Sequence, residues 1–188
     1  AKRPTLEGVS RGGLFVYQWA ASNPQKVANI FCDTPVCDIR SWPGGKGTGV
    51  GAATEWKQCL AAYGITQEPV TDSQASMVKH AELLADAEIP VLHVVTEDDQ
   101  IVPPRENTYV LAERFKQLGR PMQVISIEHG TAPSKGHHFK HENIEPIVNF
   151  IIHNQVEDDT PLEMVRAAKR IIFLGDSITY AGEYVARF

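Results

Sequence analysis

Gly8-Val9-Ser10-Arg11-Gly12 sets a serine between two glycines in the pattern G-x-S-x-G, straight after a run that reads as a strand and just before a helical pattern. A serine on a sharp strand-to-helix turn has an exposed hydroxyl, and small residues two before and two after it keep the neighbouring chain from clashing. Gly8 and Gly12 meet that need, and Gly13 adds a further glycine. The Arg11 amide, at the start of the helix, could donate a hydrogen bond to an oxyanion. A serine hydroxyl is a weak nucleophile at neutral pH; it needs a base, and the base needs an orienting acid. Two later segments offer them. "EDDQIVPP" (97–104) and "EHGTAPSKGHHF" (128–139) each follow an apolar run that reads as a strand. Ligands gather at the carboxyl ends of strands in open α/β sheets.

Other residues invite chemistry less strongly. "FLGDSITYAGEY" (173–184) puts Ser177 after another strand-like run, with a helix N-cap by Asp176 or Ser177 as the plainer alternative. His137 and His141 are four apart, but the pattern is not H-E-x-x-H, and Gly130, Pro133 and Gly136 before it argue for a loop, so no metal site is expected. The glycine-dense "SWPGGKGTGVGAA" (41–53) lacks the Ser or Thr that must follow Gly-Lys in a Walker motif, and no strand directly precedes it. A mobile connection near a pocket mouth is the expectation there. Cys32, Cys37 and Cys59 show no metal spacing; buried free thiols are expected, with one disulfide still open.

These residues need a scaffold. Apolar, β-branched runs predict strands over Pro4–Val9, Val27–Cys32, Pro90–Thr96 and Met122–Ile127. Helical patterns cover Gly13–Ser22, Glu55–Ala62, Met77–Ala87, Asn107–Leu118 and Ile144–His153. Their alternation argues for an α/β fold with a mostly parallel sheet. Residues 155–169 read as a boundary, with Thr160 and Pro161 able to start a short helix before a new strand at 170. The 188 residues, 43% hydrophobic and with a formal net charge of -5, suit a globular chain with no basic stripe for nucleic acid and no apolar run of membrane-spanning length.

Over residues 1–154 the chain resembles the α/β-hydrolase family, in its esterase and peptidase-like members. The likeness rests on G-x-S-x-G, on "TEDDQIVP", which is similar to the family's G-x-x-D-x-x-V-P segment with Thr96 where glycine is common, and on Gly136-His137-His138-Phe139. It implies Ser10 as nucleophile, Asp99 as acid, His137 as base and the Arg11 amide in the oxyanion hole, with Asp98 and His138 as the neighbouring alternatives. The implied fold is the C-terminal half of an α/β-hydrolase, a mostly parallel sheet with flanking helices. Residues 170–188 resemble the opening block of the GDSL, or SGNH, hydrolases, which implies the first strand of a second α/β domain with Ser177 as its nucleophile and 155–169 as a linker. On these likenesses the expected activity is carboxylic-ester hydrolysis through an acyl-enzyme, on a small-molecule or carbohydrate ester such as an O-acyl sugar. A serine peptidase of the prolyl-oligopeptidase type and a non-catalytic binding module that keeps the fold are the rivals. No cofactor, nucleic-acid or membrane partner is implied, and the analogy suggests a secreted or periplasmic setting. Further segments of a longer protein, or an associated chain, are expected to supply strands beside Pro4–Val9.

Overall fold

The computed structural model describes residues 3–67 and 69–155. The stretch 156–169 expected as most of a linker, the expected second domain and Ser177 lie outside them. Within them, the four apolar runs form one parallel sheet in the order β1-β2-β3-β4. The strands are β1 (Thr5–Val9), β2 (Asn29–Asp33), β3 (Val91–Thr96) and β4 (Gln123–Ile127). β3 is buried along its whole length, as expected of a strand covered on both faces.

Among the described residues six α-helices connect and cover the strands: α1 (Gly12–Ser22), α2 (Ala53–Ala62), α3 (Asp72–Ala75), α4 (Ala81–Asp86), α5 (Thr108–Gln117) and α6 (Glu145–His153). One face of the sheet packs on Leu14, Val16 and Tyr17 of α1, Leu84 of α4, and Leu111 and Phe115 of α5. The other packs Phe31, Leu92 and Val94 against Ile147 and Phe150 of α6. Among the described residues no helix is long and apolar enough to cross a membrane.

The structure moves several expected boundaries. β2 starts at Asn29 because Val27 closes a 3-10 turn over Pro24–Lys26, so Asp33 becomes the strand's last residue. The helix expected over Met77–Ala87 divides into a 3-10 turn (Met77–His80) and α4. Its start is pinned from outside the helix: Met77 N–H donates to the Cys37 carbonyl at 2.7 Å, and Val78 N–H to Ser76 Oγ at 3.2 Å. The short α3 carries a Thr71–Gln74 capping box that the periodicity did not reveal. All three cysteines are free thiols.

His93 interrupts the apolar run of β3 and is fully buried. Its Nε2 lies 2.6 Å from Tyr17 Oη on α1, and its Nδ1 lies 2.9 Å from Thr108 Oγ1 on α5. The ring thus ties both helices to the central strand, and both of its nitrogens are satisfied, as burial demands. Burial lowers its pKa from 6.5 to about 3. Between those values the unfolded chain takes up a proton that the folded chain refuses, so stability falls as pH drops through that window. The expected slope is about 1.4 kcal/mol per pH unit. Melting curves between about pH 7 and about pH 4 check this: His93→Gln, which does not titrate there, should flatten the loss seen in the wild type.

Candidate active site

Ser10 follows the last residue of β1 with φ +53°, a left-handed conformation that few non-glycine residues adopt. The surrounding chain fixes it there. Ser10 N–H donates to the Asp33 carbonyl at 2.9 Å, and its own carbonyl accepts from Val36 N–H at 2.8 Å and Gly13 N–H at 3.1 Å. A Cβ at Gly8 would lie 2.9 Å from Val16 Cγ2 and 3.0 Å from the Gly12 carbonyl carbon. Gly13 is tighter against backbone, with 2.9 Å to the Val36 oxygen and 2.7 Å to Pro35 Cβ. The two glycines let β1, α1 and the segment after β2 close around the serine. Arg11, just before α1, has an N–H with no hydrogen-bond partner among the described residues.

The acid comes from the turn after β3. Asp99 is buried, and its Oδ1 accepts from Ile101 N–H at 2.8 Å and Val102 N–H at 2.9 Å. Its Oδ2 lies 2.7 Å from His137 Nδ1. Asp98 faces elsewhere, accepting from Gly130 N–H at 2.8 Å. Of the two neighbouring carboxylates, Asp99 is the one that meets the imidazole.

His137 stands on a loop after β4. The Thr131 N–H donates to the His138 carbonyl at 2.6 Å and closes that loop on itself. Gln100 N–H donates to the Lys135 carbonyl at 3.0 Å, joining it to the acid turn. Thr96, the residue standing where glycine was expected, uses its hydroxyl to bond the Gly136 carbonyl. His137 Nε2 then lies 2.8 Å from Ser10 Oγ, with both residues buried. An ionised carboxylate accepts hydrogen bonds and cannot donate them, so the Nδ1–H donates to Asp99 and leaves Nε2 to accept from the Ser10 hydroxyl. The His138 ring packs 4.7 Å from that of His137, centroid to centroid. Beside His137 opens a cavity of about 550 Å³, lined by Ile101, Thr131, Pro133, Ser134, Lys135 and His138.

The glycine-dense segment is anchored, contrary to the expectation of a mobile connection. Glu106 accepts from Ser41 Oγ at 2.7 Å, Thr48 N–H at 2.5 Å and Thr48 Oγ1 at 2.6 Å, and Val50 N–H donates to the Gln100 carbonyl at 2.7 Å. Burial pushes the Glu106 carboxyl up, but the Thr48 and Ser41 bonds outweigh it and hold it below its ordinary value. Buried Asn107 secures the start of the same segment, accepting from Cys37 and Asp38 N–H and donating to Ser41 Oγ and the Pro103 carbonyl. His141, considered with His137 for a metal, turns to Asp33 instead, 2.7 Å away. Glu106, Asn107 and Asp33 carried no sequence signal for these roles beyond Asp33's place at a strand's end.

No protein-family model matches the chain, and no curated protein sequence matches it. Solved structures do. A thermostable esterase is 19% identical with a TM-score of 0.50, the match covering 82% of this chain and 31% of that one. An acylaminoacyl peptidase of Pyrococcus horikoshii is 15% identical with a TM-score of 0.60, over 87% of this chain and 26% of that one. The capsule O-acetyltransferase of Neisseria meningitidis serogroup A is 13% identical with a TM-score of 0.50, over 70% and 49%. The chain thus spans under a third of the esterase and peptidase chains. At these identities the likeness is one of fold: a parallel four-stranded sheet matching an α/β-hydrolase-like fragment.

The packing around Ser10 gives a direct test. Gly13→Ala forces a Cβ against Pro35 and the Val36 carbonyl and is expected to destabilise the protein by about 1–3 kcal/mol, the usual cost of overpacking a tight site. Chemical denaturation of the two proteins measures the difference.

Proposed function

We propose that the chain carries the catalytic centre of a serine hydrolase acting on carboxylic esters. The observation that supports this most is the unbroken line Ser10 Oγ, His137 Nε2, His137 Nδ1, Asp99 Oδ2, at 2.8 Å and 2.7 Å per step. Those distances lie within the reach that proton transfer needs. In this reading Ser10 Oγ attacks the ester carbonyl carbon as His137 Nε2 takes its proton. The carbonyl oxygen becomes an oxyanion, and the Arg11 N–H is placed to donate to it. The tetrahedral intermediate expels the alcohol, which takes the proton from His137 and leaves an acyl-Ser10 ester. Water, deprotonated by the same imidazole, then attacks the acyl carbon; the second intermediate breaks its bond to Ser10 Oγ, which takes the proton back from His137, and the acid leaves. Asp99 keeps the imidazole in the tautomer that presents Nε2 and stabilises its charged form.

The substrate class follows from resemblance more than from geometry. The likeness of 170–188 to the SGNH hydrolases, on residues outside those described, favours acyl esters of carbohydrates. A peptidase is the second reading, since the same three groups cleave amides and the fold is shared with an acylaminoacyl peptidase. The non-catalytic reading requires the aligned serine to be inert.

Ser10→Ala in the full-length protein should lower hydrolysis of a small aryl ester by at least about a thousandfold, and Asp99→Asn should approach about ten-thousandfold. Near-normal turnover by Ser10→Ala would move the activity to another site, with Ser177 the first to test. Parallel assays on an aryl ester and a blocked dipeptide amide separate esterase from peptidase. Failure of wild-type Ser10 to react with a fluorophosphonate supports the binding-module reading instead.

A further inference from the structure

His141 lies on the same loop as His137 and makes a second imidazole–carboxylate contact, from its Nε2 to Asp33 Oδ2 at 2.7 Å. Asp33 ends β2, and its carbonyl accepts from the Ser10 N–H at 2.9 Å. One residue therefore grips both arms of the centre. Its main chain holds the serine, and its side chain holds the segment that follows the base.

That segment has few other restraints. Between the 3-10 turn Ala132–Ser134 and α6 no helix or strand forms. Upstream of His137 the loop is fixed by Thr96, Gln100 and the Thr131–His138 closure. Downstream, over 139–144, the His141–Asp33 hydrogen bond ties the loop to the sheet. The His141 ring is also flanked by Phe139 at 4.9 Å and Phe31 at 6.5 Å, centroid to centroid. The pair is well shielded, with 24% of the His141 side chain and 17% of the Asp33 side chain exposed. Asp33 Oδ1 is buried with no hydrogen-bond partner among the described residues, so all the side chain's bonding is directed at His141. The Asp33 carboxylate of β2 lies against the ring, and the charge of Glu7 on β1 also acts on it. Burial draws the imidazole's pKa down, but the Asp33 hydrogen bond and charge, with a contribution from Glu7, leave it raised overall. Burial pushes the Asp33 carboxyl up, and His141 offsets part of that.

We propose that Asp33 and His141 form a positioning pair that anchors the His137-bearing loop to β2 and so keeps His137 Nε2 on Ser10 Oγ. Neither residue touches the reacting atoms; both act through His137. The proposal rests on the serine-hydrolase reading for its catalytic consequence and on geometry alone for the anchoring.

The test uses the full-length protein with His141→Ala, His141→Gln and Asp33→Asn. Glutamine places an N–H donor near the position of Nε2, so it should restore what alanine removes. Two quantities are read: amide hydrogen exchange over 138–144, and the rate at which a fluorophosphonate modifies Ser10. The expected result for His141→Ala is exchange about tenfold faster and Ser10 modification about tenfold slower, since small misplacements of a catalytic group carry costs of that order. His141→Gln should return both to within about threefold of wild type, and isosteric Asp33→Asn should lie between. Unchanged exchange in the alanine variant overturns the anchor. Faster exchange with an unchanged Ser10 rate overturns the positioning role. A wild-type Ser10 that never reacts overturns the hydrolase reading and the catalytic role together, while the exchange arm still decides the anchor. Should the alanine variant fail to melt cooperatively, Asp33→Asn carries the decision: wild-type exchange and labelling in it overturn the proposal.

Discussion

The site depends on one strained backbone turn. Ser10 stands in the left-handed region at the end of β1. A non-glycine residue there costs on the order of 1–2 kcal/mol, and it persists when its surroundings over-determine it. They do so through both of its backbone polar groups. Its N–H reaches across to β2, and its carbonyl takes two donors, one from α1 and one from the chain after β2. Glycines at 8 and 13 remove the side chains that would hold β1, α1 and β2 apart. The result is a hydroxyl that leaves the sheet at its carboxyl edge and points towards the loops of β3 and β4.

Those loops are made stiff by short polar contacts instead of by secondary structure. Asp99 illustrates it: one carboxylate oxygen is spent on two backbone amides of its own turn, which leaves the other aimed at His137. Glu106 and Asn107 do the same for the glycine-dense segment, each gathering groups from the chain after β2. Pre-set dipoles of this kind need not reorganise when charge develops, which is where electrostatic catalysis gains most. The buried His93 bridge works one layer deeper, locking α1 and α5 to the strand that carries the acid.

Much of this was legible in the sequence, for identifiable reasons. Ser10, Asp99 and His137 each sit in a local signal: glycines at fixed offsets, a carboxylate just past an apolar run, a histidine after glycine. The strands were legible because parallel strands buried on both faces read as continuous apolar runs. Contacts between distant residues were not. His141 and Asp33 are 108 positions apart, and either alone looks like an ordinary polar residue. Glu106 was hidden likewise, since a glutamate in a loop usually faces solvent and no local pattern reveals that Thr48 will cover it. The glycine-dense segment misled for the same reason: its composition speaks of freedom, while its partners, 50 or so positions on, take that freedom away.

The strand order has a further consequence for the newborn chain. Because β1, β2, β3 and β4 are neighbours in the order they are made, each can dock on the edge left by the one before, and among the described residues no strand is inserted later between two others. The scaffold can therefore grow as synthesis proceeds, from the amino terminus onward. The hydrogen-bonded line at its edge cannot. Ser10 and His137 are separated by 127 positions, so the serine stands at the end of β1 with no imidazole beside it until nearly the whole described chain has emerged. The first strand laid down thus holds a residue whose partner is among the last of the described residues to arrive.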